Sequence, residues 1–261
     1  MGLRLPVDKD DMGLFSALET RGSAMGSISF IVPTYNEIDN LGACVQALEE
    51  YSRAHSHEFE IIVIDSGSTD GTRELLEQMR KEKDCIRAVF QDKRMGMGWA
   101  LREAYEYVQN PLVCHYECDM PFELVEIEKA LELLATQDCD FVLGQRIGGR
   151  DRWARVLYTL GYRIFLRIVF GARFQTINYS FKVFDSKILN CISLKSSGWF
   201  IDAELILESI RCGFRIRELP VPYLEREKGA STVRFQDIAH IISEAGCYAR
   251  ERWSYFSPFS S

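Results

Sequence analysis

No stretch of the chain approaches the ~18 uninterrupted apolar residues of a membrane-spanning helix, so no span is expected. The opening segment MGLRLPVDKDD lacks an apolar core, which argues against a secretory signal, and Pro6 stands where a myristoylation signal wants Ser or Thr. There is no excess of basic charge. Lys plus Arg number 31 against 38 Asp plus Glu, a net charge of −7, which argues against a nucleic-acid partner. The eight cysteines include no CxxC pair and mostly lie in apolar runs; they read as reduced, mostly buried thiols of a cytoplasmic protein rather than a disulfide framework. The four histidines have no ligand spacing around them, which disfavours a zinc site. Internal repeats and low-complexity linkers are absent.

What is present is a globular balance: 261 residues, 47% hydrophobic and 26% charged. Residues 1–26 carry little periodicity and read as a loose extension. From there strand and helix patterns alternate. Ile28–Val32 is a short apolar run ended by Pro33, a buried strand, and Asp39 or Asn40 can cap a helix with Leu41, Val45 and Leu48 on one face. Phe59–Ile64 predicts a second strand, with Asp70 capping the helix that bears Leu75, Leu76 and Met79. Ile86–Phe90, Leu112–Tyr116 and Phe141–Leu143 predict further strands, separated by helices near 97–108 and over Phe122–Ala135. Alternation of this kind implies α/β architecture, a mostly parallel sheet with helices on both faces. Beyond 144 the spacing predicts an apolar, arginine-rich helix over 153–172, strands near Tyr179–Phe184 and Ile216–Tyr223, a helix at 202–212, and C-terminal amphipathic helix character from Phe235 to Tyr248.

Ligands of such sheets bind beyond the carboxyl ends of the strands. Three acidic strand ends lie there: Glu37 after the first strand, Asp65 after the second, and Glu117 with Asp119 after the fourth. Residues two apart on a strand point the same way, so Glu117 and Asp119 converge and suit Mg²⁺ or Mn²⁺ carrying a diphosphate; a solvated acidic turn is the plainer alternative. Asp65 can accept hydrogen bonds from a base or ribose. Gly96 and Gly98 after Lys93-Arg94 could let backbone approach phosphates, or simply form a turn before a helix.

The blocks Pro33-Thr34-Tyr35-Asn36-Glu37, Val63-Ile64-Asp65-Ser66-Gly67-Ser68-Thr69-Asp70-Gly71-Thr72, Arg94-x-Gly96-x-Gly98-x-Ala100 and Glu117-Cys118-Asp119 together resemble family 2 glycosyltransferases of the GT-A fold. Within that family the chain is most similar to polyprenyl-phosphate glycosyltransferases such as dolichol-phosphate mannose synthase. Later blocks agree, among them Gly144-Gln145-Arg146, Phe181-Lys182, Gly198-Trp199-Phe200 with Glu204, and Arg226-x-x-Gly229-x-Ser231. The resemblance runs in order from about 28 to 234, which implies a GT-A domain over 27–234 followed by a C-terminal amphipathic helix and tail at 235–261.

The resemblance implies an inverting glycosyltransferase that moves a sugar from a UDP- or GDP-linked donor to a polyprenyl phosphate, using Mg²⁺ or Mn²⁺. Pro33, Tyr35, Glu37, Asp65, Arg94, Gly98, Glu117 and Asp119 would hold the nucleotide sugar, with Glu117 and Asp119 on the metal. Arg146, Arg155, Glu204 and Ser231 would serve the acceptor. Asp119, Arg146 and Asp202 are the candidate catalytic residues; Asp202 is either a base for a hydroxyl acceptor or an ordinary helix-start residue. The sequence departs from the family pattern at Ser66, Glu117, Pro121, Thr159-Leu160 and Asn178-Tyr179-Ser180-Phe181-Lys182. Two alternatives therefore stand beside the main reading: the same fold acting on a soluble hydroxyl acceptor, and a catalytically degenerate subunit that binds nucleotide sugar.

Residues 146–173 hold seven arginines and the single acid Asp151 among many apolar side chains. That combination fits either a helix lying on an anionic membrane surface or one packed on the sheet or on a second subunit. The expected location is cytoplasmic, peripheral to the cytoplasmic membrane face if the acceptor is a lipid, and a homo-oligomer is compatible with it.

Overall fold

The computed structural model describes residues 26–136, 138–148, 153–171, 174, 177, 179–224 and 235–256, with the side chains of 153–159, 235–239 and 253–256 left out. The first half alternates β1 (Ser27–Thr34), α1 (Leu41–Ala54), β2 (Glu58–Asp65), α2 (Thr72–Glu82), β3 (Ile86–Phe90), α3 (Met97–Tyr105), β4 (Leu112–His115), α4 (Glu126–Ala135) and β5 (Phe141–Ile147). It continues through α5 (Trp153–Phe170), β6 (Lys182–Asp185), α6 (Lys187–Cys191), α7 (Ile201–Arg211), β7 (Ile216–Pro222) and α8 (Phe235–Phe256).

The strands form one seven-stranded sheet in the order β3-β2-β1-β4-β6-β5-β7. β1 is an interior strand that runs parallel to β2 and β4, while β6 alone among the described strands is antiparallel to both of its neighbours. The predicted mostly parallel α/β sheet is therefore the observed one.

Strand alternation explains the layering. Ile28, Phe30 and Val32 pack with Leu41, Val45 and Leu48 of α1 and with Leu76 and Ile127 of α2 and α4. Ile31, Ile62 and Ile64 face the opposite side, against Ala100, Leu101 and Ala104 of α3, Leu166 of α5, and Ile201, Leu205 and Ile241 of α7 and α8. Each Ile, Leu, Val or Phe side chain so withdrawn from water contributes roughly 1.5–3 kcal/mol. The final helix buries Ile241, Ala245 and Tyr248 and leaves Ile242 exposed.

Several boundaries differ from the sequence expectation. Asn40 does not cap α1 with its side chain; its Nδ2 donates to Glu37 Oε2 at 2.6 Å instead. The helix expected from Phe122 begins at Glu126, because Pro121 and Phe122 are taken into the site loop. The strand expected from Tyr179 begins at Lys182, because the Tyr179 carbonyl accepts from Lys182 Nζ at 2.6 Å rather than joining the ladder. Asp70 does serve the start of α2: its Oδ1 accepts from the Thr72 amide and its Oδ2 from the Ile38 amide, at 3.1 and 3.2 Å. All eight cysteines are unpaired, with Cys44, Cys114, Cys118 and Cys139 buried.

Candidate active site

β1, β2, β3 and β4 run the same way, so the segments that follow them share one edge of the sheet. The first is Thr34–Asn40. Asn36 is held at φ 55°, its amide donates to Ser68 Oγ at 2.8 Å, and its Oδ1 accepts from the Thr69 amide at 2.9 Å. These bonds stitch the loop after β1 to the loop after β2. Tyr35 is left half-buried, and the Arg94 guanidinium sits 4.3 Å from its ring centroid. Two residues expected to hold the nucleotide, 59 positions apart, thus meet.

Asp65 ends β2 fully buried. Its two oxygens accept from the Ser68 amide at 3.2 and 3.3 Å, and Arg73 Nε lies 3.4 Å from Oδ2. The same guanidinium donates to the Gln91 carbonyl at 2.9 Å and covers the Phe90 ring at 5.0 Å. Arg73 was not singled out from the sequence. Its signal was faint: a cation in the first turn of the helix after the Asp65 loop, able to fold back over the strand ends.

Glu117, Cys118 and Asp119 follow β4. The two carboxylates are half-buried while Cys118 between them is turned inward at 2% exposure. Cys118 Sγ lies 3.5 Å from Thr34 Oγ1, and the Glu117 carbonyl accepts from the Met120 amide at 3.0 Å and from Cys44 Sγ at 3.9 Å. Its hydrogen bond to Cys118 and its burial push the Cys44 thiol well above its usual range, so the Cys44 thiol remains protonated and inert. The inward Cys118 thus anchors the turn that carries both partly exposed carboxylates. Such a pair offers hard oxygen donors, the chemistry that Mg²⁺ or Mn²⁺ prefers. Among the described residues no cluster of three or more His, Cys, Asp or Glu forms a cation site.

Pro121, which cannot coordinate a metal through its side chain, has a different use. Its carbonyl accepts from Tyr179 Oη at 3.2 Å and from the Leu224 amide at 2.9 Å. These bonds fasten the acidic turn to the end of β7. There the Arg146 guanidinium lies 3.7 Å from the centroid of the Tyr223 ring. The Tyr179 phenol is pushed up by burial, and both Arg146 and Glu117 act on it electrostatically. The predicted acceptor arginine therefore shares this edge with the predicted metal carboxylates. Tyr223 was read from sequence only as the end of a strand.

Other expectations are relocated. Gly98 does not present open backbone for a phosphate. A Cβ there would lie 2.3 Å from the Ser196 carbonyl oxygen, so its space is filled by the loop before α7. Gly96, at φ 110°, is closed off the same way by the Ser197 carbonyl. Glu204 does not face a sugar: it is 2% exposed, and its oxygens accept from the Lys195 and Ser196 amides at 2.9 and 2.8 Å. Burial pushes its carboxyl up, against those hydrogen bonds. Asp202 pairs with the buried Lys182 ammonium at 3.0 Å, a contact that occupies Oδ1 of the candidate base. The Arg155 side chain and Ser231 lie outside the described residues. Glu37 and Pro33 stay at the crevice, both half-buried.

A parallel sheet with acidic strand ends, facing an arginine across one edge, is the architecture of a GT-A nucleotide-sugar enzyme. The chain matches Glycosyl transferase family 2 over residues 29–196 and belongs to that family. It is 27% identical over 237 residues to Glycosyltransferase AglD of Haloferax volcanii, covering 87% of this chain and 37% of that protein. It is 30% identical over 211 residues to Glycosyltransferase AglJ of the same organism, covering 79% of this chain and 66% of that one. The chain thus spans about a third and about two thirds of these two relatives. Polyprenol monophosphomannose synthase of Mycolicibacterium smegmatis is 26% identical over 227 residues, covering 80% of this chain and 81% of the relative. Glucosyl-3-phosphoglycerate synthase from Mycobacterium tuberculosis, solved with Mn²⁺, UDP and glucosyl-3-phosphoglycerate, shares the fold. It superimposes with a TM-score of 0.62 at 18% or lower identity, here 17%, over 97% of this chain and 85% of that one.

Proposed function

We propose that the chain is an inverting glycosyltransferase that passes a sugar from a nucleotide-sugar donor to a polyprenyl phosphate. The observation that carries this reading is the Pro121 carbonyl, which ties the Glu117–Asp119 turn to the strand end where Arg146 covers Tyr223. On this reading the carboxylates that would serve the diphosphate and the arginine that would serve the acceptor phosphate share one edge. The polyprenol-phosphate chemistry in the name of the mycobacterial relative supports the choice of acceptor. The reading includes a loose extension at 1–26, a catalytic domain at 27–234 and a C-terminal helix and tail at 235–261.

In this mechanism Tyr35 and Arg94 hold the nucleotide, while Asp65, which is buried against Arg73 and the Ser68 amide and not open to a ligand as the sequence suggests, shapes the loop beneath it. Glu117 and Asp119 would hold Mg²⁺ or Mn²⁺, which when bound offsets charge on the diphosphate. Arg146 suits an acceptor phosphate because its fork matches phosphate oxygens, and stacking on Tyr223 fixes its plane. One acceptor oxygen attacks the anomeric carbon as the bond to the nucleoside diphosphate breaks, with inversion. A phosphate acceptor is already ionised near neutral pH, so no strong general base is required. This accords with Asp202 being committed to Lys182.

A lipid acceptor must be met at a membrane surface. On α5, Leu160, Ile164 and Ile168 recur at helical spacing and are exposed, flanked by exposed Arg163 and Arg167, while Leu166 and Phe170 are buried on the opposite face. No described helix is long and apolar enough to cross a membrane. We assign the exposed α5 face to the cytoplasmic leaflet, with the arginines meeting anionic headgroups.

The test is a thermal-shift panel of UDP, GDP and their sugars with and without Mn²⁺, followed by transfer to polyprenyl phosphate. Metal-dependent stabilisation by one nucleotide and lipid-linked product are expected. Binding of none of them, with no transfer, overturns the reading; transfer to a soluble alcohol but not to lipid phosphate overturns the acceptor.

A further inference from the structure

The loop between α6 and α7 has four successive backbone amides bound by two carboxylates from different helices. Lys195 and Ser196 donate to Glu204 of α7 at 2.9 and 2.8 Å. Ser197 and Gly198 donate to Glu244 Oε1 of α8 at 2.7 and 2.9 Å, and the Ser197 hydroxyl adds a third bond to that oxygen at 3.0 Å. Gly198 lies so close beneath α8 that a Cβ would fall 2.7 Å from His240 Nδ1.

The opposite side of the loop braces α3. The Ser197 carbonyl accepts from the amides of Gly98 and Trp99 at 3.0 and 3.3 Å. Because β3 runs parallel to β2, the first turn of α3 lies at the carboxyl edge of the sheet, just after Arg94. The loop is therefore a wall of the crevice, held between the donor edge and the last helix of the chain. That helix is itself docked on the arginine-rich α5 through Tyr248, whose ring is 5.5 Å from Phe170.

We propose that Glu244 is a positioning residue for the transfer reaction. It holds Ser197 and Gly198 so that their loop fixes the α3 turn and, through it, Arg94. Glu204 fixes the first half of the loop from the adjoining helix, and Glu244 fixes the second. Three bonds to a single Glu244 oxygen fix the position of a partly buried loop, so the carboxylate contributes placement as well as satisfaction of donors. This inference rests on the donor reading of the Arg94 edge.

The experiment compares Glu244→Ala and Glu244→Gln in the full chain, by amide hydrogen exchange and by steady-state kinetics with UDP-glucose and GDP-mannose. In the Ala variant, exchange at Ser197 and Gly198 and the KM for the donor should each rise about tenfold, the size of losing charge-assisted bonds, with kcat little changed. The Gln variant, whose carbonyl oxygen accepts the same bonds, should restore both. Faster exchange with unaltered KM makes Glu244 a structural tie and overturns the proposal, as does a Gln variant as impaired as Ala. If Glu244→Ala does not fold, Glu244→Asp withdraws the acceptor by one methylene and reads the same two quantities. Wild-type turnover of neither donor counts against the proposed function, whereas unchanged exchange in the Ala variant counts against Glu244 alone.

Discussion

The Arg94 guanidinium covers the Tyr35 ring at 4.3 Å, joining the end of β1 to the turn before α3. Arg94 is exposed, so the ring both orients it and stays partly accessible itself. A cation–π pair at such a site is worth ~0.5–1 kcal/mol, and more once a ligand excludes water. Tyr35→Ala and Arg94→Ala should each raise the donor KM about three- to tenfold. Tyr35→Phe should be near wild type, because the ring and not the hydroxyl makes the contact. Steady-state kinetics on the three variants checks this.

Asp119→Ala and Glu117→Ala should each lower kcat/KM by at least ~100-fold, the scale of losing charge stabilisation at a leaving group. Chelation of divalent metal should reproduce the loss in the wild type and add nothing in either variant. A thermal-shift titration with Mn²⁺ and the nucleoside diphosphate provides the binding counterpart.

Lys182 is 1% exposed and lies 3.0 Å from Asp202 Oδ1, with its Tyr179 carbonyl partner at 2.6 Å. Removing the anion leaves a buried ammonium short of its counter-charge, a change that typically costs ~3–5 kcal/mol. Asp202→Asn should accordingly lower stability in urea titration while retaining most of kcat. Lys182→Met combined with Asp202→Asn should recover much of the loss. Abolished turnover in a fully folded Asp202→Asn would instead make Asp202 the base for a hydroxyl acceptor.

Glu208 of α7 anchors the last helix. It is fully buried, accepts from Tyr248 Oη at 2.8 Å, and is bridged to Arg211 and Arg252 at 2.8 and 3.2 Å. Against the cost of burial, its bonds to Arg211 and Tyr248 hold its carboxyl below the usual value. The folded state thus binds the proton less readily than the unfolded chain. Its stabilisation is complete above the ordinary carboxylate range and is lost as pH falls through the depressed native value. Melting temperatures of the wild type and Glu208→Gln should therefore differ most near neutral pH and converge in acid.

Much was written in the order of residues along the chain. The apolar runs at Ile28, Phe59, Ile86 and Leu112, each followed by a helical spacing, dictated a parallel sheet because backbone polarity and chain connection permit few other layers. That topology alone sent Glu37, Asp65, Glu117 and Asp119 to one edge. Strand alternation does not reach Glu117 and Asp119: β4 ends at His115, and residues 117–120 form a turn closed by the Met120 amide donating to the Glu117 carbonyl.

Tertiary structure decided what distant residues do to one another. Arg73 meets Asp65, Arg146 meets Tyr223, and Pro121 bonds Tyr179 and Leu224 only after the sheet has closed, and no local pattern encodes such pairings. Gly98 and Glu204 show the same lesson in reverse. Their types and positions suggested ligand contacts, but packing filled the one with the Ser196 carbonyl and used the other to hold backbone amides. Local sequence set which groups reach the crevice edge through strand polarity and periodicity, while their partners were set by long-range packing, which brings together residues that the chain itself keeps far apart.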